Sequence, residues 1–123
     1  MTSQMFHPLA QTFNLMTYSE RRKHERVSID IHVYWGWTDD CPFLDRIISL
    51  SPGGYFLRTS QGAARGTEIF VKFWLPDERT LRGEVRYHLE KMGVGVEFQR
   101  LGAEEAAQLE ALVEHYRRLQ PQP

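Results

Sequence analysis

Arg22 and Arg26 lie four residues apart in the densest basic stretch of the chain, Arg21-Arg22-Lys23-His24-Glu25-Arg26. A polar, glycine-rich turn, Ser49-Leu50-Ser51-Pro52-Gly53-Gly54, follows after one strand and the start of the next. A guanidinium keeps its charge at any relevant pH and offers a planar fork of donors. It can grip a phosphate bidentately, meet the O6 and N7 edge of guanine, or lie flat on an unpaired base. In an extended segment four residues span at most ~13–14 Å. Two such forks can therefore reach different parts of one nucleotide-sized ligand, and the two segments read as halves of one anion site. Taken alone, a charge cluster is more often a solvated linker, so the case rests on what accompanies the arginines.

Catalysis finds little support. His7, His24, His32, His88 and His115 show no close metal-ligand spacing, and no nucleophile elbow or Ser/His/Asp arrangement is visible. Ser51, inside a glycine turn, suits turn formation or anion binding better than nucleophilic attack. Gly93-Val94-Gly95 lacks the third glycine and the helix of a dinucleotide fingerprint. No Gly-Lys-Ser/Thr follows Pro52-Gly53-Gly54, so the turn is not a P-loop. One cysteine, Cys41, excludes an internal disulfide framework and a cysteine-rich zinc site. The expectation is a non-enzymatic protein with no cofactor and no metal.

The elements that must position these residues follow from periodicity. Val27, Ile29, Ile31, Val33, Trp35 and Trp37 alternate with polar residues or glycine, as a half-buried strand requires. Phe43 to Leu50 predicts a second strand. Pro52-Gly53 suits a type II turn in which Gly53 takes positive φ. Tyr55 to Thr59 is a third strand, and Ile69, Val71, Phe73 and Leu75 mark a fourth. Leu81, Gly83, Val85, Tyr87 and Leu89 define the apolar face of a fifth, and Met92, Val94, Val96 and Phe98 that of a sixth. Trp35 and Trp37 belong to the core pattern, whereas Trp74 has opposite parity to Phe73 and lies exposed or under the helix. Six short strands at near-regular spacing predict a mainly β fold, a small six-stranded antiparallel β-barrel that hides its edges by closing. Leu109, Leu112, Val113, Tyr116 and Leu119 then recur at helical spacing. Glu104 and Glu105 at one end and Arg117 and Arg118 at the other suit the helix dipole. This C-terminal amphipathic helix, 103–119, is expected to pack its apolar stripe on the barrel.

Domain organisation follows: 1–20 a flexible leader or short helix, 21–26 the arginine segment, 27–99 the barrel, 103–119 the helix and 120–123 a tail. With 123 residues there is room for one modest core. A net charge of -1 leaves no global footprint for long nucleic acids, so no DNA or RNA partner is expected. No stretch reaches the ~20 apolar residues of a membrane span, and the first residues lack a signal-peptide pattern. A cytoplasmic protein is expected.

The order of an arginine pair, a strand, a Ser-x-Ser-x-x-Gly turn, four more strands and a helix resembles the PilZ domain family over roughly 21–119. The likeness is carried by Arg22-x-x-x-Arg26, by Ile48-Ser49-Leu50-Ser51-Pro52-Gly53-Gly54-Tyr55-Phe56-Leu57 and by Gly93-Val94-Gly95-Val96-Glu97-Phe98. The resemblance implies a PilZ-like barrel and a receptor for the bacterial second messenger cyclic di-GMP, acting in pathways such as motility or biofilm regulation. It implies that Arg22 and Arg26 grip phosphates and guanine edges, that Ser51 hydrogen-bonds the ligand, and that Gly53 and Gly54 let backbone approach it. Arg21 resembles the residue of members that bind a stacked ligand pair. Ser49 stands where the family pattern has Asp or Asn, exchanging a charged acceptor for a hydroxyl, with Glu25 as the nearby carboxylate to substitute. Two readings follow. One is a receptor whose arginine segment orders on ligand and signals to a protein partner. The other is an adaptor with weakened or lost cyclic di-GMP binding that works by protein contact alone.

Overall fold

The computed structural model describes residues 25–120. The leader, Arg21, Arg22 and residues 121–123 lie outside the described residues. Six antiparallel strands follow in order: β1 (Val27–Gly36), β2 (Phe43–Ser51), β3 (Gly54–Arg58), β4 (Glu68–Trp74), β5 (Glu78–Leu89) and β6 (Gly93–Gln99). They close as β1-β2-β3-β6-β5-β4. The seam is short, Trp35 opposite Val71 and Gly36 opposite Phe70. One helix, α1 (Ala103–Leu119), completes the fold.

Alternation builds the core as expected. Trp35, Ile47, Leu57, Ile69, Val71, Val85 and Val94 have no solvent exposure. Trp37 lies just past the end of β1 and packs edge-on against Trp35 at 4.9 Å. Trp74 faces outward and is 73% exposed, which settles its place away from the helix.

Register shifts interrupt three ladders, in β1 between Ser28 and Ile31, in β2 and in β5, and those in β2 and β5 decide which residues the outer face presents. In the β2–β3 ladder Ile47 pairs with Leu57, but Ser49 pairs with Phe56, so Ile48 is the extra residue. Inserting one residue reverses the parity of all that follows. Leu50 therefore turns inward, fully buried, and Ser49 turns out. In β5, Val85 pairs with Val96 and Tyr87 with Gly95, leaving Arg86 as the extra residue. Tyr87 and Leu89, expected on the apolar face, are instead 42% and 43% exposed. Met92, also expected inward, lies in the β5–β6 turn and is exposed.

The helix begins where Glu105 Oε1 accepts the Gly102 N–H at 3.1 Å, half of a capping box. Glu104 and Glu105 then face Arg79 of β5. Leu109 and Val113 are fully buried against the barrel, each contributing roughly 1.5–3 kcal/mol. Leu112 and Tyr116 pack partly against the same core. The apolar stripe ends there, because Leu119 is largely exposed. Beyond it, Gln120 Nε2 donates to the Ser28 carbonyl at 3.0 Å, and Arg117 Nη2 meets Glu25 Oε1 at 3.4 Å. The helix end is thus tied to the start of β1, where the arginine segment enters.

Candidate functional site

The bulges align two rows of side chains across the outer face. One row runs Ser28, Ser49, Phe56, Gly95, Tyr87 through β1, β2, β3, β6 and β5. Within it Gly95 has an aromatic residue on each side, Phe56 and Tyr87. A Cβ at Gly95 would come within 2.3 Å of the Tyr87 ring, so the tyrosine lies down over the glycine. Its ring stacks on Phe56 with centroids 6.1 Å apart and planes 30° from parallel. The result is an aromatic shelf on the barrel surface, Phe56 buried beneath and Tyr87 partly open.

The second row is Ser51, Gly54, Glu97, Glu84. Ser51 is buried, its Oγ accepting the Gly54 N–H at 3.2 Å and lying 3.3 Å from the Gly54 carbonyl, to which it donates. Gly53 contributes its carbonyl to the Phe98 N–H at 2.9 Å. Gly54 approaches β6 so closely that a Cβ would stand 2.2 Å from the Val96 carbonyl oxygen. The need for glycine at position 54 is thus set inside the barrel, by strand-to-strand approach. Among the described residues, positive φ falls at Cys41, Gly66, Lys91, Gly93 and Arg100. Gly53 is not among them, so the tight turn at Pro52-Gly53 is not the expected type II turn.

Between the two rows and the start of α1 opens a groove of about 700 Å³. Arg26, Ser51, Gly53, Gly54, Tyr87 and Glu97 line it, with Arg86 and Arg100 adding positive charge and Leu101 and Ala106 forming the helix side. Arg26 Nη1 donates to Ser49 Oγ at 3.3 Å, which brings one motif arginine onto the turn, as the spacing required. Ser49 itself stands beside the groove rather than in its lining. Glu25 is turned toward Arg117 on the helix and does not line the groove, so it does not substitute there for the acid missing at position 49. Of the residues singled out in sequence, Arg26, Ser51, Gly53 and Gly54 converge.

Sequence reasoning missed Arg86, Tyr87, Glu97 and Arg100. Arg86 Nε donates to Glu97 Oε1 at 2.7 Å and Nη2 donates to the same oxygen, while Nη1 reaches Glu84 Oε2 at 3.2 Å. Gln99 Nε2 also points at Glu97 Oε1, at 3.4 Å. The available signal was Gly93-Val94-Gly95. Alternate glycines on a strand leave backbone uncovered on one face, and a large residue on a neighbouring strand must cover it.

A second groove, of about 690 Å³, opens on the barrel at the β5–β6 turn, with Arg46, Arg58, His88 and Lys91 in its lining. Two of its charged residues are committed within the fold. Arg46 is paired with Asp30 at 3.1 Å, and Asp45 accepts from Trp35 Nε1 at 2.8 Å. Among the described residues no group of three or more His, Cys, Asp or Glu is placed to hold a metal ion. None of their helices is long and apolar enough to cross a membrane.

Comparison with solved structures finds the same fold. The PilZ domain of CeSA from a cellulose-synthesizing bacterium superposes with a TM-score of 0.58 at 17% identity, covering 76% of this chain and 98% of that one. The Bacillus subtilis inhibitor of motility MotI/DgrA gives 0.64 at 18% identity, covering 82% of this chain and 53% of that one. The Borreliella burgdorferi PlzA protein, solved in complex with c-di-GMP, gives 0.56 at 15% identity, covering 86% and 46%. This chain thus spans about half the length of the last two. A search among curated proteins found no match. The family model of the PilZ domain matches residues 20–115, and with the closed six-stranded barrel, the Ser51–Gly54 turn and the helix in the family's order, this chain belongs to the PilZ domain family.

Proposed function

We propose that this PilZ domain is a cytoplasmic, non-enzymatic receptor for cyclic di-GMP that binds the nucleotide in the groove between Arg26, the Ser51–Gly54 turn and Tyr87. The observation that carries the reading is the convergence of an arginine of the motif, the motif turn and an aromatic shelf on one groove of nucleotide size. PlzA, of the same fold, is solved with c-di-GMP. Arg26, and Arg22 ahead of it, supply forks for phosphate and guanine edges. Tyr87 offers a ring face for a base, an interaction of about 1–3 kcal/mol. Arg21 supports a second, stacked ligand. Ligand binding orders the arginine segment on the barrel, and the changed surface is read by a protein partner.

Isothermal titration with cyclic di-GMP tests this. The wild-type chain binds at micromolar or tighter affinity, and Arg22→Ala or Arg26→Ala abolishes binding while the thermal unfolding curve stays in place. Normal binding by both variants overturns the site assignment.

A second reading is an adaptor that has lost the nucleotide and acts through protein contact. Ser49 favours it, because its hydroxyl is neutral and already engaged by Arg26. Trp74, at 73% exposure, offers a contact surface. Ser49→Asp separates the two. In a receptor it tightens binding roughly 5–30-fold, the worth of about 1–2 kcal/mol in a charge-assisted hydrogen bond. In an adaptor with a surviving scaffold it creates binding where the wild type has none.

A further inference from the structure

Resting on the receptor reading, a question of chemistry remains at position 49. Guanine's Watson–Crick edge presents two N–H donors, on N1 and N2, and a carboxylate oxygen accepts from them through charge-assisted bonds about twice as strong as those to a neutral hydroxyl. Ser49 carries no charge, lies outside the groove lining and is engaged by Arg26. Glu25 is turned to the helix.

One carboxylate does line the groove, that of Glu97. It sits on the outer face of β6, two residues along the strand from Gly95 and the Tyr87 ring that covers it. Its hydrogen bonds are all on one side. Arg86 Nε and Nη2 and Gln99 Nε2 all converge on Oε1. Oε2 accepts nothing among the described residues. With 44% of its side chain exposed, Glu97 is both oriented and reachable.

Arg86 makes this arrangement workable. A bare carboxylate would repel phosphates, and a long side chain left free would have to be ordered at binding. Arg86, held at its other end by Glu84, fixes the rotamer beforehand and shares its positive charge between the two carboxylates, with Arg26 and Arg100 as further cations in the lining. Because Arg86 is the extra residue of the β5 bulge, the irregularity that turns Tyr87 outward also delivers the arginine that orients Glu97.

We propose that Glu97 is the guanine-reading carboxylate of this protein, its free Oε2 accepting from the base's N1–H and N2–H in place of the acid absent at position 49, with Arg86 as the positioning residue.

The test is a binding cycle by isothermal titration. The probes are cyclic di-GMP and its hypoxanthine analogue, which lacks only the N2 amino groups. The wild type is expected to prefer cyclic di-GMP by about fivefold or more. Glu97→Gln, nearly isosteric, is expected to bind cyclic di-GMP about tenfold or more weakly and to prefer neither ligand by more than about twofold, since hydrogen bonds to charged groups are the stronger class. Adding Ser49→Asp to Glu97→Gln restores both affinity and preference, which a merely structural role for Glu97 would not allow. If Glu97→Gln binds as the wild type does, or binds weakly but keeps the full preference, the assignment to Glu97 is overturned while the receptor reading stands. If the wild type binds neither ligand, the receptor reading fails and takes this inference with it.

Discussion

Gly54→Ala should damage the barrel itself, even though Gly54 belongs to the segment that lines the proposed ligand site. The added methyl would stand 2.2 Å from the Val96 carbonyl oxygen and 3.2 Å from both Val96 C and Glu97 Cα. These are backbone atoms of β6, so no side chain can swing aside. Relief requires β3 and β6 to separate by more than about 1 Å, stretching the ladder around Gly54–Glu97 and Tyr55–Val96. Overpacking alone costs about 1–3 kcal/mol, and two weakened ladder bonds add about 1–2 kcal/mol. A loss near 3 kcal/mol is a large part of the ~5–15 kcal/mol that stabilises a domain. With a urea slope of about 1.5 kcal/mol per molar, the unfolding midpoint falls by about 2 M. Tryptophan fluorescence reads it well, because Trp35 is fully buried and loses its surroundings on unfolding. A midpoint within about 0.5 M of wild type, at unchanged slope, would refute the argument and return Gly54 to a role set by ligand approach. Ser51→Ala, which removes the hydroxyl bonded to Gly54, should shift the same curve by about 1–2 kcal/mol.

Gly95→Ala makes the opposite case. The nearest atoms to its methyl all belong to the partly exposed Tyr87 ring, which can rotate away, so stability changes by under ~1 kcal/mol while cyclic di-GMP affinity drops several-fold by titration. Tyr55 is fully buried, and its hydroxyl meets no partner among the described residues. Tyr55→Phe should therefore leave stability at neutral pH unchanged or raise it by up to about 1 kcal/mol. Burial, with a smaller push from Cys41, raises the Tyr55 pKa above its usual 10.0. The unfolded chain ionises this phenol first, so its contribution is intact below pH 10 and declines above it, by up to about 1.4 kcal/mol per pH unit. Urea midpoints at pH 9 and 11 should fall more in the wild type than in Tyr55→Phe, and equal falls would contradict the buried phenol.

The six strands and the helix were legible because burial imposes period 2 on one and period 3.6 on the other. Trp35, Val71, Val85 and Leu109 sit where those periods put them. The bulges were not legible. An extra residue in a strand needs no glycine or proline, and Arg86 reads as one more polar position in an unbroken alternation. Tyr87 and Leu89 were therefore assigned to the apolar face, and the aromatic shelf went unseen. The extra Ile48 likewise fits either side of a strand. The motif spacing did locate Arg26 and the Ser51–Gly54 turn together. It could not say what each residue does, because Ser51 bonding its own turn and Ser51 bonding a ligand produce the same letter.

That ambiguity bears on how motifs in such a barrel are interpreted. Ser51 and Gly54 are fixed by demands internal to the fold: a hydroxyl that closes the hairpin and a missing Cβ where β3 meets β6. Their presence reports that the platform is built. Among the described residues, Arg26, Tyr87 and Glu97 line the groove with side chains that neither the hairpin nor the strand-to-strand approach requires. Of these, Tyr87 is delivered to the groove by the β5 bulge, and Glu97 is oriented by the arginine of that bulge. An alteration that restored regular alternation in β5 would turn Tyr87 back toward the core and withdraw Arg86 from Glu97, while leaving the Ser51–Gly54 turn untouched. The barrel would then keep its motif and lose the proposed nucleotide site. The bulge at Arg86 therefore says more about whether this groove can hold a base than the motif turn does.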